Sequence, residues 1–203
     1  MNIELKDGSK LVIDGPKSAY EIAKQIGERL AKVALVCKID GVLTSMREVI
    51  DHDCKFEVLT WNDDEAKAVY RHTASHILAQ AVRNVYPTVQ LAIGPSIENG
   101  FYYDFDFKTP ITQGDFEKIE AEMKAIIKAD MPIERKVVSR KEAESMLKKM
   151  KQAYKIELLA DIPEGEEISF YTQGDFIDLC AGPHLSSTGK VKEFKLTSLT
   201  GAY

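Results

Sequence analysis

What most restricts the fold of this 203-residue chain is a change in the period of its apolar pattern. Asn2–Lys6 and Lys10–Ile13 alternate apolar and polar residues on either side of Asp7-Gly8-Ser9. That is a hairpin pattern, because successive side chains of a strand point to opposite faces. The spacing then becomes helical: Ala19, Ile22, Ala23, Ile26 and Leu30 fall on one face, behind Ser18 and Glu21 in the Ser-x-x-Glu order of a capping box. Strand-like runs return at Leu35–Ile39 and Phe56–Leu59. Hairpin, helix and returning strands predict a small α+β unit of the β-grasp (ubiquitin-like) kind over residues 1–61.

The pattern changes again at Trp61-Asn62. Asn62 or Asp63 can cap a long helix that runs to about Val85 and stops before Pro87. Leu91–Ile97 and Phe101–Phe107 flank Asn99-Gly100, a strong hairpin signal. A helix follows from Thr112–Asp115 to Lys128, and Ile133–Val138 reads as a strand. Ser139 and Glu142 form a second capping box, opening a Lys/Glu-rich helix that continues, broken, through Tyr154–Ala160. Ile168–Tyr171 and Phe176–Cys180 are strands around Gly174-Asp175. Thr-Gln-Gly-Asp-Phe occurs at 112–116 and at 172–176, once opening a helix and once bridging strands, so it is no repeat. Residues 62–203 are therefore expected to form a larger α+β domain, with an antiparallel sheet and a long His-bearing helix.

Composition narrows the function classes. Hydrophobic content of 44% supports real cores. The net charge of −5 excludes a global basic field, so any RNA contact must use local patches such as Arg135-Lys136, Arg140-Lys141, Lys148–Lys151 and Lys190–Lys195. Three dispersed cysteines make no disulfide framework, which points to a reducing, cytoplasmic setting. The polar start Met1-Asn-Ile-Glu is not a signal peptide, and no apolar run approaches the roughly 18–20 residues of a membrane span.

The chain has four histidines, and three of them fall in two short clusters, His72-Thr-Ala-Ser-His76 and Cys180-Ala-Gly-Pro-His184. His72 and His76 lie one helical turn apart and project from one face, beside Ala66, Val69, Thr73 and Ile77. Gly182-Pro183 forces a turn that can fold His184 back toward Cys180. As ligands, these four residues make a tetrahedral zinc set. As catalytic groups, the imidazoles supply a base and an acid near neutral pH, and Cys180 serves as nucleophile only if its thiolate is stabilised. Asp178 projects to the same side of its strand as Cys180 and can orient an imidazole or bind an amine. Gly94-Pro95 can bring backbone close to a ligand, Phe101-Tyr102-Tyr103 offers rings for stacking, and Lys155 can turn from a solvated lysine run into a pocket.

His72-Thr-Ala-Ser-His76-Ile-Leu, Ile93-Gly-Pro95, Asn99-Gly-Phe-Tyr-Tyr-Asp104 and Asp178-Leu-Cys-Ala-Gly-Pro-His184 together resemble the N-terminal part of bacterial-type threonyl-tRNA synthetase. The resemblance spans essentially the whole chain. It implies a TGS β-grasp domain over 1–61 and a tRNA editing domain (the second additional domain) over 62–203. The family continues beyond Thr200-Gly-Ala-Tyr203 into an aminoacylation core with its own zinc and ATP site, so an excised fragment that does not make aminoacyl-tRNA is expected. The implied activity is proofreading: hydrolysis of mischarged Ser-tRNA(Thr) to serine and tRNA, an aminoacyl-tRNA ester hydrolase reaction. The implied partners are that tRNA and the remainder of the synthetase, with no membrane.

The resemblance assigns the pocket to His72, His76, Lys155, Asp178, Cys180 and His184, with Tyr103 and Gly94 nearby. It implies that His72 and Lys155 position or activate water at the ester carbonyl, and that Asp178 holds the seryl ammonium or hydroxyl side. Cys180 and His184 shape the pocket and contact substrate without forming an acyl-enzyme, His76 supports the site or the terminal ribose, and Tyr103 faces the terminal adenosine. A related domain in alanyl-tRNA synthetases holds zinc with a similar His/Cys set. Metal-free hydrolysis with no cofactor in this chain is the preferred reading, because a Lys155 ammonium would repel a dication. Two alternatives remain: a zinc-dependent hydrolase of the alanyl kind, and a non-catalytic tRNA-binding appendage in which the His/Cys set is structural.

Overall fold

A computed structural model describes residues 1–201. The last two residues of the expected 62–203 domain, Ala202 and Tyr203, lie outside the described residues. The chain is a mixed α+β structure with antiparallel sheets and forms two compact units, Met1–Tyr70 with Pro183–Ser186, and Arg71–Gly182 with the segment from Ser187 onward.

In the first unit the expected hairpin is formed by β1 (Asn2–Leu5) and β2 (Lys10–Val12). A short β3 (Lys17–Ser18) leads into α1 (Ala19–Ile26), whose N-terminus carries both hydrogen bonds of the Ser18/Glu21 box. The helix does not run on to Leu30 as the apolar spacing predicts. Gly27 is extended, and a second helix, α2 (Glu28–Val33), starts beyond it. A helical glycine costs about 1 kcal/mol relative to alanine, and Ile26 stays exposed, so little burial holds that turn together. Then come β4 (Val36–Ile39), β5 (Val42–Thr44), β6 (Val49–Ile50) and β7 (Cys54–Leu59). An additional hairpin joins β4 to β5 through Asp40-Gly41, both at positive φ, a two-residue signal too short to register as apolar period. The sheet order is β2-β1-β7-β4-β5, with β1 and β7 parallel and the other pairs antiparallel; β3 pairs with β6. Ile3, Ile22, Met46, Ile50 and Phe56 fill its core.

The helix α3 (Asp64–Val85) has the expected length and stops before Pro87. Its middle is buried on all sides. Every residue from Thr73 to Val82 is buried, because Ala74, Ser75, Ala79 and Ala81 are small enough for neighbours to close in all round. The expected hairpin is present, but it turns at Glu98-Asn99 rather than Asn99-Gly100, with Gly100 in a strand opposite Ile97, and it is split into two ladders. The outer ladder pairs β8 (Gln90–Leu91) with β11 (Phe105–Asp106), and the inner pairs β9 (Ser96–Ile97) with β10 (Gly100–Phe101). The break falls at Ile93-Gly94-Pro95 opposite Tyr102-Tyr103. A capped 3-10 turn (Gln113–Asp115) opens α4 (Phe116–Ala129), and β12 (Ile133–Val138) leads to α5 (Arg140–Lys149) and α6 (Ala153–Asp161). The chain closes with β13 (Ile168–Gln173) and β14 (Phe176–Leu179), giving an antiparallel sheet ordered β12-β13-β14. Val138, Ala143, Leu147, Leu159, Ile168 and Phe170 pack α5 and α6 against it.

Ser139 carries one of these local signals alone: its hydroxyl accepts from Glu142 N while its own N donates to the Glu142 carboxylate. Ser139→Ala is expected to lower unfolding stability by about 1 kcal/mol, read as a shifted urea midpoint at unchanged slope.

Candidate functional site

Three elements bring polar side chains together in one buried cluster of the second unit. α3 supplies His72 and His76, whose rings lie 4.8 Å apart and nearly perpendicular. β14 supplies Asp178, with Cys180 just past its end, and α6 supplies Lys155. The lysine run divides as its sequence suggests: Lys148, Lys149 and Lys151 are exposed, whereas Lys155 is 4% exposed. The turn between α5 and α6 explains this. Gln152 Oε1 accepts from Leu91 N at 2.9 Å, and Gln90 Oε1 accepts from Ala153 N at 3.3 Å. Both bonds fasten the start of α6 to β8 and direct its first turn inward.

The centre of the site is the Asp178 carboxylate, 2% exposed. Lys155 Nζ lies 2.8 Å from its Oδ1, and Tyr103 donates its hydroxyl to Oδ2 at 2.8 Å. His76 Nδ1 stands 3.7 Å from the same oxygen. Lys155 Nζ also sits over the Tyr103 ring, 5.4 Å from its centre. Burial, then the Asp178 charge, push the Tyr103 phenol well above its ordinary value, so it stays protonated and donates.

His72 has an assignable tautomer. Its Nδ1 lies 3.0 Å from Gly94 O, and a carbonyl only accepts, so Nδ1 carries the proton. Burial is the largest influence on this imidazole and lowers its pKa below the ordinary value, so it is neutral at pH 7 with a lone pair on Nε2. That lone pair faces Cys180 Sγ at 3.0 Å. The Cys180 thiol is pushed up to about 12, chiefly by burial, and therefore meets Nε2 as an S–H donor. Gly182 N also donates to Sγ, at 3.3 Å.

Two glycines make this approach feasible. A Cβ on Gly94 would stand 2.1 Å from Tyr103 Cδ2, so the Tyr103 ring lies against bare backbone at the break in the hairpin. Gly182 has φ +70°, and a Cβ there would meet Tyr171 Oη at 2.0 Å. This left-handed residue turns the chain after Cys180, and His184 follows four residues on. The donor atoms of His72, His76, Cys180 and His184 all lie within 4.8 Å of one another.

Seven of the eight residues singled out from sequence, His72, His76, Gly94, Tyr103, Lys155, Asp178 and Cys180, thus come together within the second unit, while His184 belongs to the Pro183–Ser186 segment of the first. Tyr103 enters as a buried ring holding Asp178, while its neighbour Tyr102 is 40% exposed. Other contributors carry no sequence signal of their own. Ser75 Oγ lies 2.6 Å from both Gly94 O and His72 O, so Gly94 O is held between a serine hydroxyl and an imidazole. Gln173 bridges to Gln80 Oε1 at 2.8 Å and to His76 O at 3.4 Å, fixing α3 against β13. Ser169 Oγ donates to Cys180 O at 2.6 Å. Ser75, Gln80 and Gln173 are polar residues within apolar stretches, which is the one hint a sequence offers.

The donor set is chemically suited to zinc, since four nitrogen and sulfur ligands about 2.0–2.3 Å from an ion stand roughly 3.3–3.8 Å apart. The repulsion argument drawn from Lys155 needs correcting here. Its ammonium is paired with Asp178, so the two charges largely cancel and do not by themselves bar a cation.

Residues 168–202 match the family model of the threonyl and alanyl tRNA synthetase second additional domain, a stretch that includes Asp178, Cys180 and His184. The whole chain is similar to threonine–tRNA ligases. Identity is 53% over 203 residues to the enzyme of Caldanaerobacter subterraneus subsp. tengcongensis and 51% over 203 residues to that of Acetivibrio thermocellus. It is 49% over 201 residues, 99% of this chain, to that of Hahella chejuensis. Each match covers 32% of the relative, so the chain spans about a third of the length of the curated relatives it matches.

The close approach at Gly94 predicts that Gly94→Ala displaces the Tyr103 ring and breaks its bond to Asp178. The variant should lose about 1–3 kcal/mol of stability, measured by chemical denaturation, with a changed near-ultraviolet tyrosine signal.

Proposed function

We propose that this chain is the editing portion of a threonyl-tRNA synthetase-like protein and hydrolyses seryl esters on tRNA(Thr), releasing serine and free tRNA. The observation that carries the reading is the neutral His72, its Nδ1 proton held by Gly94 O and its Nε2 lone pair facing the Cys180 thiol at 3.0 Å, in a chain about half identical to threonine–tRNA ligases. A synthetic site built for threonine excludes serine, one methyl smaller, by only about 10–200-fold, so a second, hydrolytic site is required.

In this mechanism a water takes the place of the Cys180 thiol at His72 Nε2, which accepts a proton from it. The water oxygen bonds to the ester carbonyl carbon, the bond from that carbon to the ribose oxygen breaks, and the ribose oxygen takes up a proton. Lys155 stabilises the negative charge that develops on the carbonyl oxygen. Asp178 binds the serine ammonium, Tyr103 and His76 hold that carboxylate, and Gly94 fixes the His72 tautomer. A thiol pushed up to about 12 is a poor nucleophile, which supports Cys180, with His184, as a pocket wall rather than an acylated residue. The buried Tyr103 ring favours holding Asp178 over stacking on a base.

The first 61 residues are proposed as a TGS domain, a reading supported by the sheet order β2-β1-β7-β4-β5 with its central parallel pair. Residues 62–203 are proposed as the editing domain. No helix among the described residues is long and apolar enough to cross a membrane. We place the activity in the cytoplasm with tRNA(Thr) as partner, met by the exposed Arg135, Lys136, Lys141, Lys148 and Lys149. The four clustered donors also support a second reading, zinc-assisted hydrolysis of the alanyl kind, in which three of His72, His76, Cys180 and His184 would hold the ion and zinc would supply a more acidic water at its open position.

Deacylation of Ser-tRNA(Thr) and Thr-tRNA(Thr), with and without a chelator, separates these readings. Selective loss of the seryl ester, insensitive to chelation, is expected, and His72→Ala should slow it at least about 100-fold while the protein remains folded. Loss of activity on chelation, restored by zinc, selects the second reading. Absence of turnover in the unaltered protein leaves a non-catalytic appendage. Because burial lowers the His72 pKa, its base form already predominates at the ordinary value of about 6.5. The rate should therefore fall only on the acid side, with a midpoint below about pH 6.5.

A further inference from the structure

Asp178 carries two assignments that conflict. It is the anion expected to receive a substrate ammonium, yet its Oδ1 is already engaged by Lys155 Nζ at 2.8 Å and its Oδ2 by the Tyr103 hydroxyl at 2.8 Å. The carboxylate is 2% exposed and the lysine 4% exposed. Two ammonium groups beside one buried carboxylate would leave an uncompensated buried charge, the arrangement that low-dielectric surroundings disfavour most.

We propose that the substrate's α-ammonium replaces Lys155 on Asp178, and that the released Lys155 ammonium moves to the ester carbonyl. Amine recognition then switches on the electrophile by an exchange of ion-pair partners. Before substrate binds, Lys155 is held by Asp178 and the pair contributes no net charge to the site. After the exchange Asp178 is paired with the substrate, and the Lys155 ammonium is balanced only by the charge that grows on the carbonyl oxygen as water adds. The Lys155 contribution is therefore larger in the transition state than in the ground state, the condition for raising kcat rather than binding. Tyr103 keeps Asp178 in place throughout, because its hydroxyl bonds the other carboxylate oxygen. No proton or electron beyond those of ester hydrolysis is required.

The inference rests on the hydrolytic reading above and adds a substrate requirement: a free, cationic α-amine. The test compares three esters on the same tRNA, seryl, N-acetylseryl and glyceryl, the last with hydroxyl in place of amine. Single-turnover rates are measured at saturating protein, first with the unaltered chain. The two amine-free esters should react about 100-fold or more slowly than the seryl ester, the usual loss for one missing transition-state donor. In Lys155→Met the seryl ester should fall to that same level and the difference between esters should vanish. Equal rates for seryl and N-acetylseryl esters would overturn the exchange and leave the hydrolytic reading intact. So would a full amine preference persisting in folded Lys155→Met. Failure to cleave the seryl ester at all would instead refute the hydrolytic reading. The comparison of esters on unaltered protein does not depend on the variant folding.

Discussion

One buried ion pair organises the second unit: Lys155 on α6 against Asp178 on β14, at 2.8 Å. The split hairpin joins the pair through Tyr103, and α3 approaches it through His76. Four elements remote in sequence thus converge on a single carboxylate. Removing either charge would strand the other where water cannot reach it. The pair is also what makes a buried polar cluster tolerable in a packed interior, because each carboxylate oxygen has a donor.

Around that anchor the site is tuned by acceptors and bare backbone rather than by further charges. The Gly94 carbonyl fixes the proton of His72 on Nδ1 and so leaves Nε2 basic. The same glycine gives the Tyr103 ring its place. Burial does the rest, keeping the imidazole neutral and the Cys180 thiol protonated. A Cys-His contact that invites comparison with thiol hydrolases therefore has the opposite polarity, with sulfur donating and nitrogen accepting.

Much of this is written locally in the chain. The Ser18 and Ser139 capping boxes and the Pro87 stop are signals within four residues, and each appears where the sequence places it, whereas the Asn99-Gly100 hairpin turns one residue early, at Glu98-Asn99. The i, i+4 histidines likewise had to share a face of a helix. What the sequence conceals is decided by contacts far along the chain. Lys155 turns inward because Gln152 and Gln90 tie the α6 turn to β8, and no lysine spacing announces that. Tyr103 rather than Tyr102 is buried because the hairpin ladder breaks at Gly94. The all-round burial of α3 follows from small residues that look like ordinary helix formers, and Ser75 acquires its role only when Gly94 O arrives from another element. The helix break at Gly27 shows the converse: helical spacing continues through a residue whose backbone does not.

The most direct measurement of the central claim is a double-mutant cycle on the pair, with unfolding free energies for Lys155→Met, Asp178→Asn and the two combined. Each single change should cost about 3–5 kcal/mol, since it leaves one buried charge without its partner. The combined variant carries neither charge and should lose far less than the sum, a coupling of several kcal/mol. Additive losses, with no coupling between the two positions, would contradict the account.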